Sequence, residues 1–170
     1  MKRISILLLM SVIVTFFMAC DSSQKKEPET TTPKTDPGKI FVQTSNEQLA
    51  NFPVAGFGYK SASVPKQQWD EWAKNAAPVV KKVIESMPEG YVLQVTGHTD
   101  ASGPEDPVGN KPGNIKISSD RAKEVYDSLK RAGITSPKMT FKGVGSSEPV
   151  EGVDGRDPKQ RRVSFKVVPQ

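Results

Sequence analysis

Apolar residues fall into two stripes at helical spacing, several short alternating runs and one unbroken block at the N-terminus. Trp69, Trp72, Ala73, Ala76, Val79, Val80, Val83, Ile84 and Met87 recur every three or four positions, which predicts an amphipathic helix over about 66–86. Pro78 lies inside that stripe and should kink or split it, because its ring removes one helical hydrogen bond. Ala122, Val125, Tyr126, Leu129 and Ala132 form a second stripe, closed by Gly133 as a C-terminal cap. Between the stripes, the run 91–96 (Tyr-Val-Leu-Gln-Val-Thr) reads as a strand. Met139 and Phe141 alternate with Thr140 and Lys142 in another, and Val163, Phe165 and Val167 alternate in a last one. Residues 52–59 are a candidate first strand, weakened by Gly56 and Gly58. The order predicts an α/β sandwich in which two main helices pack on a mixed four-stranded sheet, β-α-β-α-β-β, over residues 40–170.

The N-terminal block is of another kind. Lys2 and Arg3 precede an apolar run over 4–19 that is short for a membrane-spanning helix and fits a secretory signal peptide, 1–19. The run ends in Phe17-Met18-Ala19-Cys20 and turns abruptly polar at Asp21, which resembles a bacterial lipoprotein signal. That resemblance implies acylation of Cys20 and anchoring in a membrane by lipid rather than by protein. Several acyl carbons, each contributing roughly 0.8 kcal/mol per buried methylene, hold such an anchor stably when more than one chain is attached. The other reading is an ordinary signal or an uncleaved anchor with an incidental cysteine. The expected location is the outer membrane with the domain facing the periplasm. Asp21 keeps the inner membrane open, since in some bacteria an aspartate there retains lipoproteins. Residues 20–39 hold no large apolar side chain before the domain and read as a disordered tether, the roughly 18 residues after Cys20 reaching at most ~60 Å extended.

Composition removes several function classes. The chain has 170 residues with one cysteine and one histidine, too few for an internal disulfide or an ordinary zinc or haem ligand set. Any serine–histidine triad would have to use His98, which has no second histidine or cysteine nearby and reads as a loop or packing residue. The formal charge of +5 includes Lys2 and Arg3, and the basic group Arg156, Lys159, Arg161, Arg162 has no interleaved aromatic residues. No nucleic-acid partner is expected, and no cofactor. Gly143-Val144-Gly145 lacks the Gly-Lys-Ser/Thr ending of a phosphate loop and reads as a turn.

Candidate chemistry gathers in the long Gly/Pro/Asn-rich loop over 97–116 that follows the 91–96 strand, where α/β folds commonly build ligand sites. Arg121, placed in the first turn of the second helix, would sit at the positive end of the helix dipole, so it calls for an anionic partner. The partner is either Asp100 or Asp120 in an internal salt bridge, or a ligand carboxylate held by the guanidinium fork.

Four motifs occur in order: Gly97-His98-Thr99-Asp100-x-x-Gly103, Asn114-x-x-Ile117-Ser118-x-x-Arg121-Ala122, Gly143-x-Gly145-x-x-x-Pro149 and Arg161-Arg162-Val163-x-Phe165. Over roughly 52–168 the chain resembles the OmpA C-terminal domain family, which includes Pal-type lipoproteins and the periplasmic domains of flagellar stator proteins. The resemblance implies non-covalent binding of peptidoglycan, without catalysis, through diaminopimelate of the stem peptide. By position it implies Asp100 on the ligand ammonium, Arg121 on its carboxylate, Thr99 and Asn114 lining the pocket, and Arg161 adding positive charge beside it. The chain departs from the pattern in carrying extra length over 104–113, expected to rim the site and bear on which stem peptides fit, Gln160 where asparagine is usual, and Tyr59-Lys60-Ser61 where a polar residue often stands near the pocket. A surface-exposed interaction or adhesin lipoprotein on the same fold is the alternative. A cell-wall hydrolase would need a catalytic set that these residues do not assemble.

Overall fold

The computed structural model describes residues 36–170, so the segment read as a signal peptide, Cys20 and most of the segment read as a tether lie outside the described residues. Four α-helices, α1 (Pro37–Leu49), α2 (Lys66–Asn75), α3 (Ala77–Glu85) and α4 (Asn114–Arg131), accompany three strands, β1 (Tyr91–Gly97), β2 (Met139–Gly143) and β3 (Val163–Pro169). The sheet order is β2-β1-β3, with β1 parallel to β2 and antiparallel to β3. The predicted mixed α/β architecture holds, with one strand fewer than expected. Among the described residues no helix is long and apolar enough to cross a membrane.

Strand register explains which face is covered. Leu93, Val95 and Gly97 align with Met139, Phe141 and Gly143 on one side and with Val167, Phe165 and Val163 on the other. Side chains alternate along a strand, so these positions share one face, which meets the helices. Phe141 packs against Tyr126 of α4 at 5.3 Å between ring centroids, and Phe165 stacks on Trp72 of α2 at 5.2 Å. Gly97 is required by close approach: a Cβ there would lie 1.9 Å from the Ser118 carbonyl oxygen. The opposite face carries Gln94, Thr140, Lys142, Ser164 and Lys166.

The helix expected over 66–86 divides at Ala76, with Pro78 in the first turn of α3, where its missing N–H costs nothing. The second stripe ends as read. Gly133 adopts φ +80°, and the Ile134 N–H returns to the Leu129 carbonyl in a Schellman cap.

Residues 52–59 differ from the expected first strand, keeping only the paired bonds between Val54 and Val163. Pro53 lacks a donor, Gly56 sits at φ +84°, and the rest of the β3 edge is taken by α1. There the Asn46 amide donates to the Val167 carbonyl and accepts from the Val167 N–H, so a side chain closes the edge that a fourth strand would have used. Helix α1 begins at Pro37, so the ordered unit takes in the last residues read as tether. Asp36 caps it by accepting from the Gly38 N–H at 2.9 Å.

His98 follows β1 and is a packing residue. It is 2% exposed and its Nε2 lies 2.8 Å from the Ser164 hydroxyl. Burial, reinforced by the positive charge of Arg162, lowers its pKa to about 3. A histidine neutral in the fold but protonatable when unfolded withdraws stability as pH falls through 6.5 towards 3, by at most ~1.4 kcal/mol per unit. Between pH 6 and pH 5, where most carboxylates stay ionised, the wild type should lose about 1 kcal/mol in urea unfolding. His98→Gln should flatten that slope, and a variant as pH-sensitive as wild type would remove His98 as its source.

Candidate functional site

Both arginines of the predicted site are fixed by the backbone of residues 57–61. Arg121 lies well inside α4, beyond its first turn, so the dipole argument does not apply to it. It is 1% exposed, and its guanidinium donates to the carbonyls of Ser61 (Nε, 2.8 Å), His98 (Nη1, 2.8 Å) and Gly58 (Nη2, 2.9 Å). The Phe57 ring lies 5.3 Å from its Cζ, close enough for a cation–π contact. Neither internal partner considered from sequence is its salt-bridge partner. Asp120 pairs with Lys116, and Asp100 pairs with Arg161 at 2.7 Å. Arg161 also donates from Nε to the Phe57 carbonyl at 2.8 Å.

Asp100 is 4% exposed, and burial by itself would raise its pKa. The Arg161 hydrogen bond and the Ser102 N–H, which donates to Oδ1 at 3.1 Å, outweigh that and hold the carboxyl below its usual range. For Arg121 the opposite balance holds. Burial and then the neighbouring Arg161 charge lower its pKa to about 10, only partly offset by Asp100. It therefore remains a cation at neutral pH, satisfied by carbonyl dipoles and unpaired by any carboxylate among the described residues.

All five predicted residues, Thr99, Asp100, Asn114, Arg121 and Arg161, line one cavity of about 250 Å³. Thr99 contributes a buried hydroxyl with no hydrogen-bond partner among the described residues. Asn114 opens α4 and stitches the loop below it, donating from Nδ2 to the carbonyls of Gly103 (3.0 Å) and Asp100 (3.4 Å). Eight further residues line it, among them Tyr59 and Lys60 from the segment before α2 and Val108 and Lys111 from the inserted loop, none of the four singled out from sequence. The insertion, expected at the rim of the site, does line the cavity. It does so because Val108 and Lys111 pair in a tight turn through Gly109 at φ +58°, and because Glu105 accepts from the Ser146 N–H and from Asn114. Gln160, 1% exposed, accepts from the Val150 N–H and donates to the carbonyls of Val153 and Asp154, fixing that loop rather than touching the cavity.

Residues 66–162 match the OmpA family. The chain belongs to the OmpA family. Among solved structures, the OmpA-like fold recurs in the peptidoglycan-associated lipoprotein of Burkholderia pseudomallei, with a TM-score of 0.54 and 22% identity over 75% of this chain and 99% of that one. It recurs in the C-terminal domain of Helicobacter pylori MotB (TM-score 0.51, 18% identity, 69% of this chain and 84% of that one). The OmpA-like domain of FopA1 from Francisella tularensis gives a TM-score of 0.50 at 24% identity, over 68% and 70%. No curated protein matches. At these identities the likeness speaks to the OmpA-like fold, and the site rests on its own geometry.

Arg121→Met in this OmpA-family domain removes the fork and leaves three inward carbonyls without their donor. It should cost about 3 kcal/mol or more in urea unfolding, while Asp100→Asn costs far less. An unfolding midpoint unmoved by Arg121→Met would show that the guanidinium does not hold the 57–61 segment.

Proposed function

We propose that this domain binds peptidoglycan non-covalently, gripping a stem-peptide amino acid that presents an ammonium and a carboxylate together, diaminopimelate being the ligand expected. The observation that carries the reading is the Arg121 guanidinium, buried beside a second arginine and without a carboxylate partner, on the wall of a cavity that also holds one ionised acid. A ligand carboxylate supplies the missing counter-charge to Arg121, with Arg161 adding positive charge beside it. The ligand ammonium shares Asp100, whose low pKa keeps it ionised, and the unpartnered Thr99 hydroxyl offers one further hydrogen bond. Membership of the OmpA family and the name of the B. pseudomallei relative support the choice of polymer.

Binding, not catalysis, is the activity proposed. Among the described residues the one serine paired with an imidazole is Ser164 with His98, and an imidazole with a pKa of about 3 is a weak base for activating a hydroxyl at neutral pH. With Cys20 acylated, the protein would tie a membrane, the outer one by this reading, to the wall. Many weak sites on one polymer would together give a firm hold.

In sacculus pull-downs, Asp100→Asn and Arg161→Gln should each weaken retention about tenfold or more, since charge-assisted bonds contribute roughly 1.5–3 kcal/mol. Retention equal to wild type in either variant would remove that residue from the site. Separately, Cys20→Ser should abolish the acylated N-terminus seen by mass spectrometry and release the protein from membranes. An unmodified Cys20 in a membrane-bound wild type would refute the anchor.

A further inference from the structure

The cavity has a floor and a mouth, and only the floor is occupied by the reading above. At the mouth stand Lys60 and Lys111, from two segments far apart in sequence. Lys60 is, among the described residues, the one non-glycine residue with positive φ, at +54°. Such a conformation persists in a residue of this kind only where the surroundings over-determine it. Here they do, because Arg121 holds the Gly58 and Ser61 carbonyls on either side. Lys111 is presented by the inserted turn, whose root Glu105 fastens to Ser146. Neither lysine forms an ion pair among the described residues.

Charge then decides what the mouth can take. Lys60, Lys111, Arg121 and Arg161 line the cavity against one acid, Asp100, which Arg161 already engages. A ligand bringing one ammonium and one carboxylate adds no net charge and leaves that excess untouched. A second carboxylate reduces it. We propose that Lys60 and Lys111 form a second anion subsite, which selects peptide ligands bearing a further free carboxylate beyond the one held at the floor. The inference rests on the peptidoglycan reading and names the ligand class within it: stem peptides unamidated outside the gripped residue. Lysine suits this position, because an ammonium on a flexible stem reaches a carboxylate without demanding the planar geometry of a fork. Tyr59 and Val108, 56% and 61% exposed, flank the two lysines and offer apolar cover to the aliphatic part of the peptide.

The test uses the full-length chain in detergent and two synthetic tripeptides, alanyl-γ-glutamyl-diaminopimelate with the C-terminal α-carboxyl of diaminopimelate amidated in both and the glutamyl α-carboxylate either free or amidated. Titration calorimetry should show the free acid binding about 3- to 10-fold more tightly at low salt, the preference shrinking as salt screens the exposed pair. Lys60→Gln combined with Lys111→Gln should bring the preference close to one by weakening the acid form, with the thermal midpoint reporting that the variant is folded. Equal affinity of wild type for acid and amide, or a preference that survives in the double variant, overturns the inference while leaving the peptidoglycan reading standing. Failure of wild type to bind either tripeptide overturns both.

Discussion

Burying an arginine removes a charge from water at a cost of several kcal/mol, and the fold around residues 57–61 is organised by how that cost is met. Arg121 turns its three nitrogens to the carbonyls of Ser61, His98 and Gly58, and lays its face near Phe57. Those carbonyls belong to the segment before α2 and to the end of β1, so one side chain of α4 fastens two parts of the chain that share no ladder. Arg161 repeats the device from the other side through the Phe57 carbonyl. The segment that makes only one bridge to the sheet is thus held by guanidinium groups instead of strand pairing, and the cavity wall is the product.

The missing fourth strand follows from the same competition for hydrogen bonds. An edge strand offers unpaired N–H and C=O groups, and any group of suitable shape can take them. Val54 takes those of Val163, and the Asn46 amide those of Val167. With both ends of that edge satisfied, residues 55–61 are free to leave the sheet. They turn over the carboxyl end of β1, where the site lies.

Periodicity made most of this legible in the sequence. The Trp69–Met87 stripe, the Pro78 break, the Gly133 cap and the three alternating runs each carry a local signal, and each appears where that signal places it. The five cavity residues were legible only through the order of their motifs, since nothing local distinguishes Thr99 or Asn114 from any loop residue. Besides the first strand, two readings failed for physical reasons. The α4 start at Asn114 puts Arg121 beyond the reach of the helix dipole, and a side chain expected to face a ligand is also a tie for the backbone. Helix α1 was hidden because its neighbours look like tether, although Asp36 followed by Pro37 is a helix-start signal in itself. The segments that carry Lys60 and Lys111 were placed at the pocket by their departures from the family pattern, but nothing local singled out the two lysines. Their significance depends on a turn and an inserted loop meeting across the fold.

The choice of carbonyls over carboxylates as the partners of Arg121 has a consequence for what the site can do. A guanidinium paired with a carboxylate is neutralised and presents little field to a ligand. Partial charges on carbonyl oxygens satisfy its hydrogen bonds while its full charge remains, and low-dielectric surroundings strengthen that field. Arg161 shows the contrast within the same cavity, for Asp100 cancels most of its charge at 2.7 Å. The two arginines therefore play different parts. Arg161 keeps Asp100 ionised and in place, and Arg121 supplies the uncancelled positive charge at the floor. Exchanging their partners, with Asp100 turned to Arg121, would preserve the composition of the cavity and bring its charge on the floor close to neutral. The attraction for an anion therefore depends on which arginine the backbone claims, which a list of lining residues does not contain.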